Sequence, residues 1–79
     1  MKAKCTLRQG QYLAFIHYYT KIHGRAPAEA DLENYFRVAY SSVHQMILTS
    51  EKRGLIARVH GEPRSIRLLV PKEELPDLA

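Results

Sequence analysis

The hydrophobic pattern of this chain changes its period at Gly54. Before the glycine, residues 41–54 (SSVHQMILTSEKRG) repeat their apolar positions at the spacing of an α-helix. After it, residues 55–60 and 65–70 largely alternate between apolar and polar positions, as β-strands do. The sequence therefore predicts a helix that ends at a glycine and is followed directly by a β-hairpin, with a turn at residues 61–64.

The helix predicted over residues 41–54 has an apolar back and a polar front. The back is formed by Val43, Ile47 and Ser50, with Met46 beside them. We expect Ser41 or Ser42 to cap the N-terminus, because a short hydroxyl accepts a hydrogen bond from an unpaired backbone N–H, and Gly54 to adopt the left-handed turn that ends a helix. The other faces carry Ser41, Ser42, His44, Gln45, Thr49 and Lys52. Such a front suits base edges in a major groove, and an ordinary amphipathic surface helix is the alternative that this segment leaves open.

Two further helices are predicted upstream. Thr6 and Gln9 have the spacing of a capping box, and the helix that they open runs to Gly24. Its apolar stripe, which we expect to face the core, consists of Tyr12, Phe15, Ile16, Tyr19 and Ile22. After a turn at Pro27, residues 28–36 form a short helix with acidic residues in its first turns. Its predicted core-facing residues are Leu32 and Phe36, assisted by Tyr35.

Three helices followed by a β-hairpin predict a winged helix-turn-helix, an α+β fold that is mainly helical. The second and third helices, joined by residues 37–40, form the helix-turn-helix. We expect the hairpin, here called the wing, to lie on the helices, because an isolated hairpin is marginally stable in water. The winged domain is predicted to cover residues 6–70, between a flexible N-terminal arm at residues 1–5 and an acidic C-terminal tail at residues 71–79.

Length and composition exclude several classes of protein. A chain of 79 residues has room for one small domain, and its single cysteine, Cys5, excludes an intrachain disulfide. The four histidines show no metal-ligand spacing, so we predict no metal site and no cofactor. No apolar run approaches the roughly 20 residues that span a bilayer, and the N-terminus lacks the apolar segment of a signal peptide. We therefore expect a cytoplasmic protein.

The segment from residue 37 to residue 67 carries an excess of basic over acidic residues. The formal net charge is +4, and the segment from residue 37 to residue 67 holds six basic residues against two acidic ones. A basic segment between two acidic segments is typical of a nucleic-acid-binding face. The candidates for phosphate contacts are Arg37, Thr49, Lys52, Arg53, Arg58 and Arg64. For Arg67, a structural ion pair within the strand is the alternative.

Several short motifs occur together at characteristic separations. They are residues 6–9 (TLRQ), 24–27 (GRAP), 30–32 (ADL), 52–56 (KRGLI) and 64–69 (RSIRLL). In combination they resemble the N-terminal DNA-binding domain of the LexA repressor. The resemblance covers about residues 6–69, nearly all of the predicted winged domain.

The resemblance implies a sequence-specific, double-stranded-DNA-binding transcriptional regulator, with the third helix in the major groove and the wing on the backbone. The family's base-reading positions fall on Ala39, Ser41, Ser42, His44 and Gln45. Of these, all but Ala39 lie on the polar front already identified from periodicity, and we take those four as base-reading candidates. LexA reads bases partly with an Asn and two Glu, where this chain has Ser41, His44 and Gln45, so a different operator is expected. Ala39 replaces the family's capping Ser, and Ser50 replaces a Leu.

LexA repressors also carry a C-terminal self-cleaving peptidase domain, which dimerises them. The sequence contains no corresponding Ser–Lys dyad, and a serine so close to His44 on one helix cannot form a catalytic triad. We therefore expect no enzymatic activity and no cleavage-driven derepression by this chain alone. Because a single winged module makes few base contacts, we expect a homodimer or a partner protein to complete DNA binding.

Two other functions remain open from the sequence. A winged helix can act as a protein-interaction module, and the docking surface would then be the C-terminal tail or the tyrosines, which are Tyr12, Tyr18, Tyr19, Tyr35 and Tyr40. Binding of double-stranded RNA is a weaker alternative, because the A-form major groove is too narrow for a reading helix.

Overall fold

The computed structural model of the protein describes residues 6–78. Within this range three α-helices precede a two-stranded antiparallel sheet, and a 3₁₀ turn follows: α1 (Leu7–His23), α2 (Glu29–Phe36), α3 (Tyr40–Lys52), β1 (Ile56–Ala57), β2 (Arg67–Leu68) and the turn Lys72–Glu74. This order confirms the winged helix-turn-helix. The N-terminal arm predicted at residues 1–5 lies outside the described residues, as does Ala79. No helix within residues 6–78 has the length and apolarity needed to cross a membrane.

The local signals at the ends of α1 are confirmed. The Gln9 backbone N–H donates to Thr6 Oγ1 at 3.1 Å, and the Thr6 N–H donates to Gln9 Oε1 at 3.0 Å, which completes the capping box. At the other end Gly24 has a left-handed φ of 73°, and its N–H donates to the Thr20 carbonyl. These bonds satisfy backbone groups that a helix end would otherwise leave without partners.

The core lies where all three helices meet the base of the wing. Its most buried side chains are Tyr12, Leu13, Ile16, Leu32, Val43, Ile47 and Ile56. Phe36 packs partly buried against this core, with its ring stacked on Tyr12 at a centroid distance of 4.3 Å. The prediction for Ile22 is wrong, because residues 20–25 are all exposed and this side chain is 74% exposed. The last turn of α1 extends beyond the elements that could cover it.

The start of α3 differs from the prediction. The helix begins at Tyr40, and Ala39 is the N-cap, in an extended conformation and without a side-chain cap hydrogen bond. Ser41 and Ser42 therefore lie inside the first turn, so the predicted serine cap is wrong. Arg37 has a left-handed φ of 55°, which ends α2, and α3 begins only a few residues later. The left-handed turn at Gly54 is confirmed by its φ of 74°.

The two strands of the wing are shorter than the alternating sequence pattern predicts. Only Ile56 with Leu68 and Ala57 with Arg67 are paired, whereas residues 55–60 and 65–70 were expected to be strands. Beyond Ala57 the backbone pairing of the two strands ends, and the Val59 N–H donates instead to the side-chain Oγ of Ser65 at 2.9 Å. The preceding Arg64 has a positive φ of 58°, which interrupts the extended backbone.

The C-terminal tail packs along α1. Leu75 and Leu78 contact the hydrophobic core, and the Gln11 side-chain amide donates to the Asp77 carbonyl oxygen at 2.8 Å. The segment after the wing therefore covers part of the core that the helices leave open.

One guanidinium group joins the wing to the helices. A terminal nitrogen of Arg64 lies 3.0 Å from Asp31 Oδ2, 3.1 Å from the Tyr19 hydroxyl and 3.3 Å from the Ala26 carbonyl oxygen. The same Asp31 oxygen accepts the Ala28 N–H at the start of α2. Burial acts to raise the pKa of Asp31, but this backbone hydrogen bond and the charge of Arg64 outweigh it, and the pKa lies below its ordinary value.

We predict that Asp31→Asn lowers the free energy of unfolding by about 1–2 kcal/mol at neutral pH, because it weakens both the helix cap and the ion pair. A carboxyl whose pKa is lowered by folding stabilises the protein above its unfolded pKa, and this contribution disappears as the pH falls through the folded pKa. The difference between wild type and variant should therefore shrink below about pH 4. Urea unfolding at several pH values measures it.

The matched control is Asp77→Asn, which alters an exposed carboxylate and leaves the backbone carbonyl in place. Its unfolding free energy should follow that of the wild type at every pH. A constant difference between Asp31→Asn and wild type across the acid range would contradict the role assigned to this carboxylate.

Candidate nucleic-acid interface

The polar front of α3 is exposed to solvent. Ser41, Ser42 and Gln45 are exposed, whereas the backs of the same turns are filled by Val43 and Ile47. This division follows from the helical repeat, which places the apolar residues against α1 and α2 and leaves the polar ones outside. Ser50, the predicted third residue of the back, is buried at 2% exposure.

Two shallow grooves run along this front. The first lies between α3 and the start of α1, and its walls are formed by Thr6, Gln9, Ser41, Ser42, Gln45, Met46 and Thr49. The second continues toward the C-terminus of α3, along Gln45, Leu48, Thr49, Lys52 and Arg53. Gln45 and Thr49, one turn apart, both border the two grooves, so they form the centre of the front.

Two exposed side chains of α3 were not among the candidates for DNA contacts. Leu48, 37% exposed, lies on the second groove, and Tyr40, 55% exposed, lies at the N-terminus of α3. The helical spacing from Gln45 could have indicated Leu48, since residues three apart share a face. The sequence places Tyr40 in the loop before the helix, because it assigns the N-cap to Ser41 or Ser42. With Ala39 as the N-cap, Tyr40 is instead the first residue of α3.

His44 is held at the edge of the front. Its Nδ1 lies 3.4 Å from Glu29 Oε1 on α2 and 3.4 Å from the Tyr40 hydroxyl. The Tyr40 ring stacks on the imidazole with a centroid distance of 5.3 Å and an interplanar angle of 16°. Glu29 was expected only to favour the start of α2. No local pattern reveals that it reaches the third helix.

An ionic network extends from this histidine to the wing. Arg58 places one nitrogen 3.5 Å from Glu29 Oε2 and another 3.3 Å from Glu51 Oε1, and its side chain is only 13% exposed. His60 Nε2 lies 3.1 Å from the other Glu51 oxygen. The hydrogen bond with His60 lowers the pKa of the Glu51 carboxyl, burial opposes it, and the hydrogen bond with Arg58 lowers it further.

The candidates for phosphate contacts therefore fall into two groups. Arg58 and Arg64 have carboxylate partners within the protein. Arg37 and Lys52 are exposed, and neither forms an ion pair with any residue from 6 to 78. Arg53 donates to the buried Gln9 side chain at 3.4 Å, and Thr49 lies within the grooves. The unpaired positive charge thus flanks α3 at both ends.

Several other expectations can be compared with the described part of the chain. Arg67, for which a structural ion pair was considered, is exposed and forms none there. Tyr12 is buried at 2% exposure, so it cannot belong to a tyrosine docking surface. Within residues 6–78, no cluster of His, Cys, Asp and Glu side chains could hold a metal ion.

We predict that Arg58→Ala lowers the thermal unfolding midpoint by several degrees, because it leaves Glu29 and Glu51 without their shared cation and removes packing by the arginine stem. Arg67→Ala, an exposed position on the adjacent strand, is the matched control and should leave the midpoint within about a degree. Calorimetry of both variants provides the comparison. Equal midpoints for both would show that the network contributes nothing to stability.

Comparison with known proteins agrees with the motifs found in the sequence. No protein-family profile matches the chain. The LexA repressor of Thermosipho melanesiensis is 31% identical to it over 72 residues, which make up 91% of this chain and 36% of that repressor. The chain therefore spans about a third of the length of the curated relative that it matches. This match confirms the resemblance to the N-terminal domain of a LexA repressor.

Proposed function

We propose that this chain is the DNA-binding module of a LexA-type transcriptional regulator. It binds double-stranded DNA sequence-specifically in the cytoplasm, with α3 in the major groove and the wing against the backbone. The observation that carries the proposal is the exposed polar surface of Ser41, Ser42 and Gln45 on α3, with Arg37 and Lys52 at the ends of the helix and without ion pairs within residues 6–78. The similarity to a LexA repressor supports it independently.

The bases are read by Ser41, Ser42, His44 and Gln45. Gln45 borders both grooves, and a glutamine amide can pair bidentately with the N6 and N7 atoms of adenine. The serine hydroxyls donate or accept, so they fit several bases. Leu48, beside Gln45 on the second groove, supplies an apolar contact that fits a thymine methyl group.

The phosphates are held by residues at the ends of α3. Arg37, Lys52 and Arg53 supply positive charge, and the Thr49 hydroxyl supplies a hydrogen bond. Arg58 and Arg64 were candidates for the same contacts. Their short distances to Glu29, Glu51 and Asp31 support a role in holding the wing in place. Their remaining N–H groups can then face the phosphate backbone of the DNA.

Binding by two modules follows from the size of this interface. One reading helix with four base-reading side chains makes few specific contacts, and specific regulators usually combine two half-sites. A random-oligonucleotide selection with the purified chain tests the whole proposal. It should yield a consensus with an inverted repeat, and a failure to enrich any sequence at low salt would contradict DNA reading.

We predict that Gln45→Ala lowers discrimination at one or two base pairs of the selected site by about 1–3 kcal/mol, because a bidentate base contact is lost. The measurement compares affinities for single-base variants of the site. Asn34→Ala removes an exposed amide from α2 and is the control, which should leave base preference unchanged. An equal loss of affinity for every sequence with Gln45→Ala would rule out base reading by this residue.

We predict that Lys52→Ala weakens binding to all sequences and reduces the salt slope of log K by about one, because one phosphate contact disappears. Lys21→Ala is the matched control. Lys21 is an exposed lysine in the last turn of α1, roughly 18 Å along the helix from Gln9 at the interface. If both variants give the wild-type slope in salt titrations, Lys52 does not contact the DNA.

A further inference from the structure

The imidazole of His44 has one occupied nitrogen and one open nitrogen. Nδ1 faces Glu29 Oε1 and the Tyr40 hydroxyl, each at 3.4 Å. Nε2 lies across the ring and forms no hydrogen bond with any residue from 6 to 78. With 38% of the side chain exposed, Nε2 is the atom of His44 that is available to a ligand on the front of α3.

The carboxylate of Glu29 determines which nitrogen carries the proton. An ionised carboxylate only accepts hydrogen bonds, so an unprotonated Nδ1 would direct its lone pair at a negative oxygen. The Tyr40 hydroxyl can either donate or accept, so it adapts to both tautomers. The proton of neutral His44 therefore belongs on Nδ1, and Nε2 is then a hydrogen-bond acceptor.

The surroundings of the ring keep this arrangement in place. Arg58, 3.5 Å from the second Glu29 oxygen, balances the charge of the carboxylate and ties it to the wing. The stacked Tyr40 ring fixes the plane of the imidazole. The titratable groups that face His44 or connect to it through the network are Glu29 from α2, Tyr40 and Glu51 from its own helix, and Arg58 and His60 from the wing.

We propose that Glu29 is a positioning residue for base specificity, which makes His44 present an acceptor nitrogen and select a base whose amino group is exposed in the major groove. This inference rests on the DNA-binding function proposed above. The amino groups exposed in the major groove are N4 of cytosine and N6 of adenine. A ring that carries its proton on Nε2 is instead a donor there, which fits O6 or N7 of guanine.

The tautomer is measured on the free protein. In ¹⁵N-edited NMR of the histidine rings at about pH 8, His44 should carry its proton on Nδ1, with the other histidines as internal references. Tyr40→Phe, which keeps the stacked ring and lacks the hydroxyl, should keep that tautomer. Glu29→Gln can accept or donate, so it should shift the population toward protonated Nε2. A wild-type ring protonated on Nε2 would overturn the role of Glu29.

Base preference is measured on the selected site. His44→Ala first identifies the base pair at which discrimination is lost. There the wild type should favour cytosine or adenine over guanine by about tenfold at pH 8, and comparing the two bases shows which amino group is read. Glu29→Gln should reduce the pH 8 preference to within about twofold, while discrimination at the base pair read by Gln45 is retained.

The outcomes separate the two proposals. A preference for guanine at pH 8, or a Glu29→Gln protein with unchanged preference, would overturn the specificity role and leave DNA binding intact. Failure of the wild type to bind any DNA sequence would overturn the proposed function and the base assignment together. Loss of all discrimination with Glu29→Gln, including that at the Gln45 position, would show that Glu29 acts on the fold rather than on the imidazole.

Discussion

The position of the wing depends on ion pairs rather than on its own strands. With only two residue pairs in the ladder, the hairpin has too little backbone pairing to be stable alone. The buried side chains of Ile56 and Ile66 attach the hairpin to the core, and two arginines fix its orientation relative to the helices. Arg64 joins Asp31, and Arg58 joins Glu29, so both connections reach the first turn of α2. Since half-buried, geometrically restrained pairs are stronger than freely solvated ones, these contacts hold a short hairpin at a defined angle to the helices.

The acidic start of α2 consequently has more than one role. Glu29 and Asp31 favour the helix N-terminus electrostatically, as their position in the sequence indicates. Asp31 also accepts the Ala28 N–H, which completes the cap, and both carboxylates anchor the wing. Through His44, Glu29 reaches the helix that we assign to the major groove. The second helix thus connects the wing mechanically and electrostatically to the polar front of α3.

The sequence predicted several features whose causes are local, although not the N-cap of α3, and the structure added those that depend on tertiary contacts. The capping box at Thr6 and the left-handed turns at Gly24 and Gly54 involve residues a few positions apart, so the pattern contains the whole interaction. The exposed position of Ile22 and the short strands could not be predicted in the same way. The exposure of Ile22 depends on how far α1 extends past its neighbours. The length of the strands depends on a hydrogen bond between Ser65 and Val59, which competes with the backbone pairing of the two strands. The front of α3 was predictable because helical periodicity alone separates it from the back, whereas the partners of Arg58 and Arg64 come from other elements.

These ion pairs also change how the charge of the chain should be interpreted. The sequence places six basic residues between positions 37 and 67, but Arg58 and Arg64 are compensated by carboxylates of the protein. The basic residues of this segment without a carboxylate partner among residues 6–78 are Arg37, Lys52 and Arg53 at the ends of α3 and Arg67 on the wing. In the complex that we propose, these cations set affinity and its salt dependence, and the polar front of α3 sets base preference. A second module on an adjacent half-site would then add contacts that one module cannot make.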